Sequence, residues 1–106
     1  MITLRKTPEV IAVSGTTAFD STDLSSGDKY AVHIEIGGSL SGTLKIQGKA
    51  KNASQWVDID DSDQAVVAGD TALYNLRDLA FDMVRPYFSH SSGTGNITIH
   101  RSVKGP

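Results

Sequence analysis

The chain has 106 residues, a formal net charge of −2 and no cysteine, so neither a disulfide framework nor a thiolate metal site can form. Asp outnumbers Glu by 10 to 2, and 8 Ile and 8 Val stand against 7 Leu. Asp favours caps and turns and β-branched residues favour strands, which excludes a helical bundle or a coiled coil.

Residues 1 to 9 read as an edge strand or as an arm extended onto a neighbour. Val10 to Val13 is a strand, and the turn-rich stretch Ser14 to Gly27 contributes Phe19 and Leu24 as core plugs. From Tyr30 to Ile36 the pattern has period two, with Val32, Ile34 and Ile36 on one face and Ala31, His33 and Glu35 on the other. Thr43 to Ala50 alternates again, with Leu44, Ile46 and Gly48 inward and Thr43, Lys45, Gln47 and Lys49 outward. A Gly/Ser-rich loop of about six residues joins the two runs, which predicts antiparallel neighbours. Gln55 to Ile59 places Val57 and Ile59 opposite Trp56 and Asp58, and Ala68-Gly69-Asp70 separates strands 64–67 and 71–76. Leu76, Leu79, Ala80 and Met83 have helical spacing, but Pro86 closes so short a stretch, which predicts one helical turn or a loop. Met83 to His90 alternates once more, and Pro86 assigns that strand to a sheet edge or a bulge. Ser91 to Thr94 reads as a hairpin-like connector to the last strand, Gly95 to Ser102. The sum is an all-β, antiparallel β-sandwich of seven to eight strands, jelly-roll-like, in one domain over 10–102 with a tail at 103–106.

Chemistry-bearing constellations are sparse. No Gly-x-Ser-x-Gly elbow, phosphate loop or HExxH occurs, so no catalytic residue and no cofactor is assigned. His33 and Glu35 share a strand face and His100 joins them if its strand is adjacent; surface histidines remain the simpler reading, and no metal is assigned. The acidic run 58–63 fails the EF-hand pattern, because Asp63 and Gly69 stand where Gly and Glu are needed. It reads as a solvated turn, with a β-sandwich calcium site as the alternative. Trp56, Tyr74, Tyr87 and Phe88 could form a sugar-stacking platform, but core or sheet-edge packing is the favoured reading of these aromatics. Lys+Arg at 10 against Asp+Glu at 12 leaves no basic surplus for phosphates, so nucleic acid is not an expected partner. No stretch reaches the ~20 apolar residues of a membrane span, and the opening Met-Ile-Thr-Leu-Arg-Lys-Thr-Pro lacks the apolar run of a signal peptide, so cytoplasmic synthesis without a membrane partner is expected.

Gly42-Thr43-Leu44-Lys45-Ile46-Gln47-Gly48, Trp56-Val57-Asp58-Ile59, Val84-Arg85 and Ser92-Gly93-Thr94-Gly95 occur in that order. This series resembles the small β-sandwich structural proteins encoded among tailed-phage virion genes. The resemblance implies a non-enzymatic virion component on the capsid surface, a decoration or cement protein that binds the major capsid protein or other virion proteins. It also implies a homo-oligomer, a trimer first, bridging neighbours with an extended terminus. Ile2, Leu4, Arg5, Lys6, Arg101 and Lys104 are the residues suited to that contact with an acidic surface. The alternative is a carbohydrate- or receptor-binding module of a tail or head fibre, using Trp56 and Tyr74.

Overall fold

The computed structural model describes residues 3–5, 9–24, 29–59, 61–76 and 82–104. Its strands are β1 (Thr3–Arg5), β2 (Glu9–Val13), β3 (Thr17–Ala18), β4 (Thr22–Asp23), β5 (Lys29–Ile36) and β6 (Ser41–Lys49). Then come β7 (Val57–Asp58), β8 (Gln64–Val67), β9 (Thr71–Leu76), β10 (Met83–Ser92) and β11 (Gly95–Lys104). No helix occurs among the described residues; of the expected helical turn or loop, Leu76 ends β9, Met83 begins β10, and Leu79 and Ala80 lie outside the described residues.

Every pairing among the described residues is antiparallel. One sheet, here sheet A, has the order β1-β11-β5-β9, with β2 also on β11. The other, sheet B, runs β3-β10-β6-β7, with β4 also on β10 and β8 also on β6. β2 pairs with Gly95–Ile99 of β11 and β1 with Ser102–Lys104, so the two lie end to end along one edge. β3 and β4 divide the edge of β10 in the same way, and β7 and β8 that of β6. Counting each divided edge as one strand leaves eight strands in the orders 1-8-3-6 and 2-7-4-5. That is the two-sheet jelly roll.

The period-two faces meet between the sheets. Tyr30, Val32 and Ile34 of β5 and Ile97 and Ile99 of β11 oppose Leu44 and Ile46 of β6 and Val84 and Phe88 of β10, each at most 1% exposed. Burying side chains of this size stabilises by about 1.5–3 kcal/mol each relative to exposure.

Three expectations about connection are corrected. Runs 30–36 and 43–50 are not neighbours: β5 lies in sheet A and β6 in sheet B. The connector 91–94 likewise passes from β10 in sheet B to β11 in sheet A instead of closing a hairpin. Alternation reveals that a strand has an apolar face but not what that face meets. A hairpin would lay both apolar faces on one side of one sheet, whereas crossing between sheets lets them cover each other. Finally, Pro86 sits in an interior strand, opposite Ile46 of β6, with β3 and β4 beyond it. Its carbonyl accepts from the Phe19 amide at 3.1 Å, so its missing N–H points to the gap between β3 and β4 and costs no ladder bond. The irregularity in β10 falls between His90 and Ser92.

Candidate functional site

Because β6 and β10 are paired, their polar faces merge into one surface on the outside of sheet B. Lys49 lies opposite Met83, Gln47 opposite Arg85 and Lys45 opposite Tyr87, and Asp58 of β7 adds to the Gln47 row. The Arg85 guanidinium lies 4.3 Å from the centre of the Trp56 ring, and Lys49 Nζ 5.1 Å from it. Lys45 Nζ stands 5.4 Å from the Tyr87 ring. Arg85 Nε donates to Gln47 Oε1 (2.9 Å), Gln47 Nε2 donates to Asp58 Oδ1 (2.9 Å), and Lys45 Nζ reaches Asp58 Oδ2 at 3.0 Å. The hydrogen bonds from Gln47 and then Lys45 hold the Asp58 carboxyl below its ordinary value, and Asp58 in turn raises Lys45. Desolvation lowers Arg85. The result is an ordered ladder of cations over aromatic rings, each contact of a kind that contributes about 0.5–1 kcal/mol at exposed sites.

The face of sheet A is different in character. His100 lies opposite His33, with ring centroids 5.4 Å apart, and His100 Nε2 is 2.8 Å from Glu35 Oε1. The strands of His33 and His100 are thus adjacent, but no group of three or more metal-ligating side chains able to hold an ion occurs among the described residues. Leu73, 66% exposed, and Val10 lie on the same face.

The remaining candidate residues divide sharply. Ile2 and Lys6 lie outside the described residues. Backbone pairing brings the N-terminal and C-terminal candidates together, with Leu4 opposite Val103, Arg5 opposite Ser102 and Thr3 opposite Lys104. Arg101 is corrected from surface to interior. Its side chain is 2% exposed, its guanidinium is 3.3 Å from Glu9, and it donates to the carbonyl of Asp20. It therefore straps β11 of sheet A to the segment leading into β4 of sheet B. Burial beside this strap pushes Tyr30 up to about 12.

The carbohydrate alternative is corrected at Tyr74, which follows the favoured core reading: it is 5% exposed and its hydroxyl donates to the Ser62 carbonyl at 2.7 Å. Burial, then Asp63, raises its pKa. Trp56 stays at the surface, partly buried, with Arg85 and Lys49 already against its ring. Val57 is exposed although alternation paired it with Ile59, because β7 is only two residues long and ends at the sheet edge.

The acidic run also holds a buried polar residue that alternation does not mark. Ser62 is buried; its hydroxyl accepts from the Ile46 amide (3.1 Å) and donates to the Ile59 carbonyl (2.7 Å). The available signal was an uncharged hydroxyl inside an otherwise acidic stretch. An open depression of about 460 Å³ lined by Asp58, Ile59, Asp61 and Asp63 lies beside it.

Sheet order and filled interior define the class as an antiparallel jelly-roll sandwich. Among solved structures, the chain is similar to PirA, with 24% identity and a TM-score of 0.66 over 89% of this chain and 92% of that one. It is similar to the SPBc2 prophage-derived protein YomS, with 15% identity and a TM-score of 0.62 over 97% and 95%. It is also similar to a chain from Bacillus endospore appendages described as a family of disulfide-linked pili, with 15% identity and a TM-score of 0.53 over 98% and 89%. These likenesses establish the fold alone. No family model and no curated protein matches the sequence.

Proposed function

We propose that this protein is a non-enzymatic structural component of a phage particle, a decoration protein that binds the head through its major capsid protein. The observation that carries this reading is the filled interior. A jelly roll that performs chemistry or holds a small ligand needs a concave, water-excluding cavity. Here the space between the sheets is taken by Tyr30, Val32, Ile34, Leu44, Ile46, Phe88, Ile97 and Ile99, each at most 1% exposed. What the molecule offers instead is two broad sheet faces, one of them an ordered cation–aromatic ladder suited to protein contact. The ordered series from Gly42 to Gly95 and the prophage-derived and pilus-forming neighbours support a structural role. The fibre-module alternative loses Tyr74 to the core and finds the Trp56 ring already stacked by Arg85.

Quantitative mass spectrometry of purified particles whose genome carries this gene tests the proposal. The chain is expected at a copy number comparable to the capsid subunits and in the head fraction after heads and tails are separated. Absence from particles overturns it, and recovery only with tails transfers the protein to the fibre reading.

A further inference from the structure

A two-sheet sandwich has four open edges, and each is a template for further strand pairing unless something blunts it. Three edges here are interrupted. β1 and β2 are distinct strands with Pro8 between them in the sequence; β3 and β4 are separated at 19–21; β7 and β8 are distinct strands with no strand at the described residues 59 and 61–63. The fourth edge, β9, is continuous over Thr71-Ala72-Leu73-Tyr74-Asn75-Leu76, without a charge, a proline or a glycine. Among the described residues no strand pairs its far side.

The backbone parity of β9 follows from the bonds at its start. Ile36 donates to the Asp70 carbonyl (3.0 Å) and accepts from Gly69 (2.8 Å), so the even-numbered residues of β5 turn their polar groups toward β9. Their partners are Ala72, Tyr74 and Leu76. Thr71, Leu73 and Asn75 therefore aim their amides and carbonyls away from the sheet, and all three are exposed.

We propose that β9 pairs antiparallel with β9 of a second copy of this chain about a two-fold axis at Leu73. The segment is self-complementary. Leu73 meets its own copy and Thr71 meets Asn75, each pair exchanging two N–H···O bonds, with no like charges opposed. Sheet A then continues across the dimer, and the two Leu73 side chains cover each other on its outer face. This is a two-fold contact rather than the trimer that the phage resemblance implies. It also stands independently of the virion reading, since purified protein alone tests it.

Sedimentation of the native chain over a rising concentration series is expected to show twice the 11.3 kDa monomer mass. Leu73→Lys, which sets two ammonium groups against each other at a site where the monomer tolerates charge, is expected to remain folded by circular dichroism and sediment as monomer. In this cysteine-free chain, Leu73→Cys is expected to give a covalent dimer with a short thiol–thiol cross-linker, because Cα atoms of such a pair lie about 5.5 Å apart on the same face. Thr98→Cys, in the middle of sheet A, is the control and is expected to cross-link at least tenfold more slowly. A native chain that stays monomeric throughout the series overturns the proposal. So does a dimer that survives Leu73→Lys, or equal cross-linking by the two cysteine variants.

Discussion

At the scale of single residues, the buried charge of Arg101 dominates. A guanidinium that is 2% exposed is tolerable only because Glu9 stands 3.3 Å away and the Asp20 carbonyl accepts from it. Glu9→Leu should therefore cost about 3 kcal/mol in denaturant unfolding, while Glu9→Leu combined with Arg101→Met should cost less than the single change, since no uncompensated charge is left inside. Asp58 sets the acid side. Its pKa is held below the ordinary 3.8 by Gln47 and Lys45, so its contribution is present above that value and disappears as pH falls through the lower folded value. Thermal unfolding across this range should show a small acid-side loss that Asp58→Asn removes. The effect is modest because the carboxylate is half exposed. Neither role is legible in the sequence: Arg101 shares the parity of Ile97 and Ile99 in the last strand, but nothing in its neighbours signals that its partners come from residues 9 and 20.

At the scale of elements, the turns decide which sheet each strand joins. The links 37–40 and 93–94 interlock: Ser39 donates to the Thr94 carbonyl at 2.8 Å, and Gly37 donates to the Asn96 carbonyl at 2.9 Å. Gly93 has φ of 83°, and a Cβ there would collide with the Ser39 carbonyl oxygen. Gly93→Ala combines an unfavourable backbone conformation with that collision. It should destabilise by more than the ~1 kcal/mol usual for a glycine exchange, measured as a lowered denaturation midpoint with unchanged slope. The strands themselves were legible. Val32, Ile34 and Ile36, or Val84, Pro86 and Phe88, declare a strand with one buried face. Their partners were not, because period two is satisfied equally by a hairpin and by a crossing between sheets.

At the scale of the whole molecule, the jelly roll explains both the filled interior and the distribution of edges. Closing eight strands into two sheets places residues 3–5 against 102–104, so the first and last strands are neighbours in sheet A. Three edges are divided into short pieces that discourage further pairing, and β9 is left whole. The same closure carries Lys45, Gln47 and Lys49 beside Arg85 and Tyr87, forming the ladder on sheet B from two alternations that were each readable alone. A head surface sampled by many copies would gain from this arrangement, because weak contacts repeated over a particle add through effective concentration.

Sequence alone determined the all-β class, the positions of the longer alternating strands and most of their inward residues, since these depend on local preference and on a period that any single strand displays. The two-residue strands β3 and β4, in a stretch that reads as turns, exist only through their pairing with β10. Tertiary structure decided the pairing of strands, the burial of Arg101, Tyr74 and Ser62, and which strand, β9, is left as a continuous edge among the described residues. These depend on contacts between residues far apart in the chain. Burial of a polar side chain is decided by whether a distant partner arrives to satisfy it, and no local pattern records that arrival.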